Sequence, residues 1–170
     1  MEDRRELKSN GSSWTPADSA ELYGVRNWGA GYFDLAANGD VTVNVTLNGE
    51  RVGVSIPAII DGMRSRGLQM PVLLRIENLL DSQISLLNET FGRAIANLGY
   101  RGSYRGVFPI KVNQQCQVIE EIARFGATYG HGLECGSKAE LLIALASLDP
   151  DASHIVCNGY KDDEFVSLGL

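Results

Sequence analysis

Tyr104-Arg105-Gly106-Val107-Phe108-Pro109-Ile110-Lys111-Val112-Asn113-Gln114-Gln115 is the stretch that decides the fold. An apolar run ends on Lys111, and two residues later a polar cluster opens an amphipathic helix. A strand that stops on an ionisable side chain, just where the chain turns into a helix, sets that side chain at the carboxyl end of a sheet. Open α/β sheets and α/β barrels both place their ligands at that end. Pro109 adds to the signal, because it removes a ladder donor and so makes the strand bulge or end there, re-aiming the residues after it.

Working outward, the same grammar repeats on both sides. Downstream, Asn113 is expected to cap a helix carrying Val118, Ile119, Ile122 and Phe125, which Gly126 ends. A short strand comes next at Gly132-Leu133-Glu134. Ser137-Lys138-Ala139-Glu140 then reads as a capping box, in which serine and glutamate satisfy each other's backbone donors. Leu141, Leu145 and Leu148 are the expected apolar face of that helix, and Asp149-Pro150 breaks it. His154 to Cys157 is a further strand, and Asn158-Gly159 leads to a last helix near Asp162. Upstream, Pro71 to Ile76 has the composition of a buried strand. Residues 77 to 98 form a long helix with Leu80, Ile84, Leu87, Phe91, Ile95 and Leu98 spaced by threes and fours.

Polar residues thus end three strands, at Lys111, Glu134 and Asn158, one strand-plus-helix unit apart. That rhythm means parallel βα units, in either a doubly wound sheet or a (β/α)8 barrel. Neither G-x-G-x-x-G nor G-x-x-x-x-G-K-[ST] comes after any of these strands, which removes weight from the nucleotide-binding open sheets. The expected class is α/β, a partial (β/α)8 barrel. A complete barrel needs eight units and roughly 250 residues. With four strands counted, residues 70–170 read as the N-terminal half of a barrel, and the chain as the N-terminal part of a larger protein.

Ahead of the barrel lies a small β-rich segment, residues 15–69. Thr15 caps a short helix with Pro16 at its first position. Tyr23 to Phe33 is dense in glycines and aromatics and reads as a packed loop with its rings in the core. Asn38-Gly39 and Asn48-Gly49 are hairpin signals between Tyr32–Ala36, Val41–Val45 and Val52–Ile56. Pro57 starts a helix that Gly67 closes. Residues 1–14 are polar and read as an unpacked tail.

Composition excludes several classes. Of 170 residues, 44% are hydrophobic and 21% charged, which suits a globular chain with a sizeable core. A net charge of −6 disfavours a nucleic-acid surface and suits a cationic small substrate. No run of about 18 apolar residues exists, so no membrane span is expected. Met1-Glu2-Asp3-Arg4-Arg5-Glu6 lacks the apolar segment of a signal peptide and has too many acids for a transit peptide. Cys116, Cys135 and Cys157 form no C-x-x-C and suit a reducing, cytoplasmic compartment as buried hydrophobes. His131 and His154 are too few and badly spaced for a metal site and read as structural.

Three segments now resemble a known family in order and spacing: Phe108-Pro109-Ile110-Lys111-Val112-Asn113-Gln114-Gln115, Gly132-Leu133-Glu134-Cys135-Gly136-Ser137-Lys138-Ala139-Glu140-Leu141 and Val156-Cys157-Asn158-Gly159-Tyr160-Lys161-Asp162. They are similar to the biosynthetic arginine decarboxylases, pyridoxal-phosphate enzymes with an alanine-racemase-type barrel. Trp28-Gly29 and Tyr32-Phe33 resemble the arginine branch and not the ornithine one. Cys135 departs from the alanine often found there, and Cys116 interrupts a usually polar run.

By that resemblance, Lys111 forms the Schiff base with pyridoxal 5'-phosphate, Glu134 lies near the cofactor, and Ser137 is a further cofactor-side candidate. The implied reaction converts L-arginine to agmatine and CO2, as the first step of a polyamine route in a homo-oligomeric enzyme. The alternatives are ornithine, diaminopimelate or carboxynorspermidine as substrate, or an inactive regulator. Magnesium is associated with the family, but no ligand set stands in this sequence. The glycine-rich phosphate loop and the acidic substrate-binding residues of the family lie further along, so the 170 residues alone are expected to be inactive and poorly folded.

Overall fold

The structure, a computed structural model, describes residues 13–47 and 49–170. These divide into two compact units, one running to Leu74 and the other from Arg75 to Leu170. Most of the expected tail and Asn48 of the second hairpin signal lie outside the described residues. Trp14 lies within them and donates its indole N–H to Ser19 Oγ at 2.6 Å.

The first unit is helical, then antiparallel. Helix α1 (Pro16–Leu22) starts on a complete capping box: Asp18 N–H reaches the Thr15 hydroxyl, and the Asp18 carboxylate accepts from Thr15 N–H. A short helix, α2 (Val25–Trp28), replaces the expected loop. Its aromatics do not enter the core as expected. Tyr23 and Trp28 are exposed, and the Trp28 indole N–H is satisfied by the carbonyl of Tyr23 at 3.1 Å. Strands β1 (Phe33–Leu35), β2 (Val41–Leu47) and β3 (Glu50–Ser55) form one meander, with Val43 and Val45 buried on one face of β2. At the first turn only Gly39 takes positive φ, and Ala36 N–H bonds to the Asp40 carbonyl at 2.8 Å. The connection is therefore longer than the two-residue turn that Asn38-Gly39 suggests. Ser55 caps helix α3 (Ile56–Ser65), one residue ahead of the start expected at Pro57.

The second unit carries the parallel sheet. Helix α4 (Glu77–Leu98) fits its predicted span and closes on Gly99 in the left-handed region. The segment before it forms no strand: residues 71–76 pair with nothing described, and Leu73 is 76% exposed. Strand β4 (Val107–Pro109), helix α5 (Cys116–Gly126), strand β5 (Gly132–Cys135), helix α6 (Lys138–Ser147), strand β6 (Ile155–Cys157) and helix α7 (Asp163–Gly169) complete the unit. The three strands are parallel in the order β4-β5-β6. The fold is thus α/β, an arc of three βα units of the partial-barrel type, rather than the four strands expected.

The core lies between this sheet and its helices. Ile110, Leu133 and Cys135 from the strand side meet Val118, Ile119 and Ile122 of α5, Leu141 and Ala144 of α6, and Phe165 of α7. Leu133, 0% exposed, sits at the centre. Burial of a leucine is worth about 1.5–3 kcal/mol, so this layer is what holds the sheet against its helices. On α6 the buried line runs Leu141, Ala144, Leu148; Leu145, expected inside, is half exposed. The α4 stripe is likewise buried only in part. Leu80 and Ile84 pack on the core, whereas Leu87, Phe91 and Leu98 are exposed, with Phe91 stacked on Tyr104 at 4.1 Å.

Candidate active site

Parallel register puts the carboxyl ends of all three strands on one edge. Pro109 pairs with Glu134 and Glu134 with Val156, so β4, β5 and β6 stop within a residue or two of one another. Because side chains alternate, Leu133 and Cys135 join the helix-side core, and Glu134 falls on the opposite face. The residues just past the strand ends, including Lys111, Ser137 and Asn158, belong to loops on this edge.

Strand β4 ends at Pro109 rather than at Lys111, for want of a donor. Ile110–Val112 then make one turn of 3₁₀ helix. Ile110 is fully buried and anchors that turn, while Lys111 stands exposed beside it. Among the described residues no hydrogen bond or ion pair holds its ammonium. Asn113 does not cap α5 as expected. Its Oδ1 accepts from Gln115 N–H at 3.0 Å, closing an Asx turn, and the helix begins later, at Cys116.

Glu134 is 5% exposed, and among the described residues its side chain has one hydrogen bond, from Asn158 Nδ2 to Oε1 at 3.0 Å. A carboxylate accepts several hydrogen bonds, and Oε2 has none among the described residues. Sequence reasoning marks Asn158 only as a polar strand end. Its offset from its strand, one residue past the register partner of Cys135, is the signal that pairs it with Glu134. The two loops also touch through backbone. Gly159 has φ +78°, and a Cβ there would lie 2.7 Å from the Gly136 carbonyl oxygen.

Ser137 is exposed and accepts from Glu140 N–H at 3.3 Å, capping α6. The expected reciprocal bond is displaced by one residue, since Glu140 Oε2 accepts from Gly136 N–H at 2.7 Å instead of from Ser137 N–H. Lys138 binds Asp162 at 2.8 Å and also Glu164, tying the starts of α6 and α7 together. These contacts hold the Asp162 carboxyl below its usual range, chiefly through the Lys138 hydrogen bond.

His131 and His154 lie at the amino ends of β5 and β6, away from this edge. Burial, helped by the nearby His154, lowers the pKa of His131, and its Nδ1 has no partner among the described residues. Among the described residues no group of three or more His, Cys, Asp or Glu could hold a metal ion. No described helix is long and apolar enough to cross a membrane.

Residues 84–169 match the family model described as pyridoxal-dependent decarboxylase, pyridoxal binding domain. The chain belongs to this family. The match spans the parallel sheet, its helices and the whole polar edge. Among curated members, the chain is 45% identical over 159 residues to the biosynthetic arginine decarboxylase of Synechococcus sp. (strain RCC307), covering 93% of this chain and 24% of that protein. It is 44% identical to the enzyme of the same name from Thermosynechococcus vestitus, covering 94% of this chain and 25% of that one. Among solved structures, the biosynthetic arginine decarboxylase of Campylobacter jejuni superposes with a TM-score of 0.78 at 35% identity, covering 86% of this chain and 24% of the other. The chain therefore spans about a quarter of the length of the curated family members it matches.

Proposed function

We propose that the protein containing this chain converts L-arginine to agmatine and CO2 with pyridoxal phosphate, and that Lys111 is where the cofactor is attached. The observation that carries this is a lysine with no ion pair among the described residues, next to the carboxyl edge of a parallel sheet, in a chain 45% identical to an arginine decarboxylase. The donor set fits the group. A pyridoxal aldehyde calls for a primary amine with no carboxylate competing for it, and Lys111 supplies one. When bound, the cofactor supplies the electron sink for the pair left behind as carbon dioxide departs.

The chain's own residues do the positioning. The buried Ile110 fixes the turn from which Lys111 projects. Glu134, held at Oε1 by Asn158, keeps Oε2 for an N–H or cationic group on the cofactor's side of the sheet. Ser137 accepts a backbone bond as a cap and still carries its hydroxyl hydrogen, which it can donate to a phosphate oxygen. Magnesium has no ligand set among the described residues, and no role is assigned to it. The Trp28-Gly29 and Tyr32-Phe33 pattern supports the arginine branch, as does a net charge of −6 for a cationic substrate. A homo-oligomeric enzyme of a polyamine route, working in a reducing cytoplasm, completes the reading.

Release of labelled CO2 from carboxyl-labelled arginine and ornithine by the full-length protein tests it. Arginine should be the preferred substrate, and Lys111→Ala should abolish release. Ornithine turning over as well as arginine would overturn the assignment.

A further inference from the structure

The end of the parallel sheet carries a feature that decarboxylation does not use. Cys135 and Cys157 are register partners on the adjacent strands β5 and β6, and their sulfurs lie 3.7 Å apart. Both are free thiols. Neighbouring strands run about 4.8 Å apart, inside the roughly 4.4–6.8 Å of Cα separation that a disulfide spans. To bond, the sulfurs must close from 3.7 Å to about 2.0 Å. Partners in one register also point to the same face, so their Cβ vectors do not diverge.

The two thiols differ in the way a reactive pair requires. Cys157 is exposed, and Cys135 is fully buried against the helix layer. Burial first, then Cys157 itself and the charges of Glu140 and Glu134, push the Cys135 thiol up to about 12. Cys135 is therefore a poor initiator, shielded from oxidants, whereas Cys157 is exposed within these 170 residues.

We propose that Cys135 and Cys157 form a hydroperoxide-oxidised dithiol site that closes into a reversible disulfide between β5 and β6. With hydrogen peroxide as oxidant, the Cys157 sulfur attacks the O–O bond, becoming a sulfenic acid as water leaves. The Cys135 sulfur then displaces hydroxide from the Cys157 sulfur, and its proton departs with that hydroxide as a second water. Two thiols lose two protons and two electrons, and one peroxide becomes two waters. A bridge between directly adjacent strands is constrained, and constrained or exposed disulfides are the ones that thiols reduce readily. The bridge would sit between Glu134 and Asn158, the residues just before Cys135 and just after Cys157. It therefore grips the strand ends that present the site's buried carboxylate.

The full-length protein, treated with hydrogen peroxide, alkylated under denaturing conditions and digested without reduction, tests this without any activity assay. The Cys135 peptide should become mostly joined to the Cys157 peptide, two hydrogens lighter than their sum, and dithiothreitol should release both. In Cys135→Ala, Cys157 should stop at the sulfenic acid and be trapped by dimedone. Recovery of both cysteines as alkylated thiols, oxidation of Cys157 to sulfinic acid with Cys135 still a thiol, or a Cys157–Cys116 bridge would overturn the proposal. If the variant does not fold, the wild-type digest alone decides.

Discussion

Asp81 on α4 should make the protein less stable as pH rises from about 4 to about 7. Its carboxyl is pushed up from 3.8 to about 6, by burial first and then by a hydrogen bond to, and the charge of, Glu121 on α5, with Arg124 opposing. Asp81 Oδ1 is buried without a partner among the described residues, and Glu121 is 4% exposed. Two carboxylates facing each other favour one shared proton. Since the folded pKa lies above the unfolded one, the folded state binds more protons between them, and stability falls with rising pH. The contribution is fully present below about 3.8 and is lost as pH passes through about 6. A shift of roughly two units has a ceiling of about 3 kcal/mol; solvent screening at this partly exposed site reduces that to roughly 1 kcal/mol. Asp81→Asn, neutral at every pH and still able to donate to Glu121, removes the dependence. Thermal melts of the full-length wild type and variant at pH 4.5 and 7.5 measure it. The variant's advantage in melting temperature should be larger at pH 7.5 than at pH 4.5, by roughly 1 °C for a protein about four times the length of this chain. A wild type and variant that differ by the same amount at both values would refute the shared-proton reasoning.

Other expectations rest on the same contacts. Leu133→Ala empties the centre of the sheet–helix core and should cost about 2–5 kcal/mol, read as loss of hydrogen-exchange protection in β5. Gly132→Ala places a Cβ 1.9 Å from the His154 carbonyl oxygen, a backbone clash that cannot relax cheaply, so soluble yield should collapse where Gly92→Ala, with open space around it, is tolerated. Asn158→Ala removes the side-chain partner of Glu134 while leaving the exposed loop intact. It should lower kcat for arginine about tenfold, or about 1.4 kcal/mol, with circular dichroism unchanged.

The elements most legible in the sequence were those with a strong local cause. Helix 77–98 announces itself by apolar spacing and Gly99, α1 by Thr15 and Pro16, and the lysine turn by Pro109. Misreadings arose where an outcome depends on a distant partner. Pro71–Ile76 is apolar enough for a strand, but apolarity does not supply a ladder neighbour, and Leu73 ends exposed. Asn113 is expected to cap α5, but its side chain closes an Asx turn on Gln115 instead, and the helix begins at Cys116. Glu140 reached one residue further back than a capping box requires, accepting from Gly136 N–H across the loop. Lys111 and Glu134 stood out in the sequence as polar strand ends, and the structure puts both at the carboxyl edge of the sheet. The Glu134–Asn158 bond and the Cys135–Cys157 approach did not stand out there, because both depend on the parallel register that aligns residues more than twenty positions apart.

The central claim is that Lys111 carries the cofactor, and one measurement addresses it directly. The full-length protein loaded with pyridoxal phosphate is reduced with borohydride, digested and mapped by mass. A pyridoxyl group on the peptide containing Lys111, absent from Lys111→Ala, is the predicted result. A pyridoxyl group on another lysine, or on none, would contradict the account.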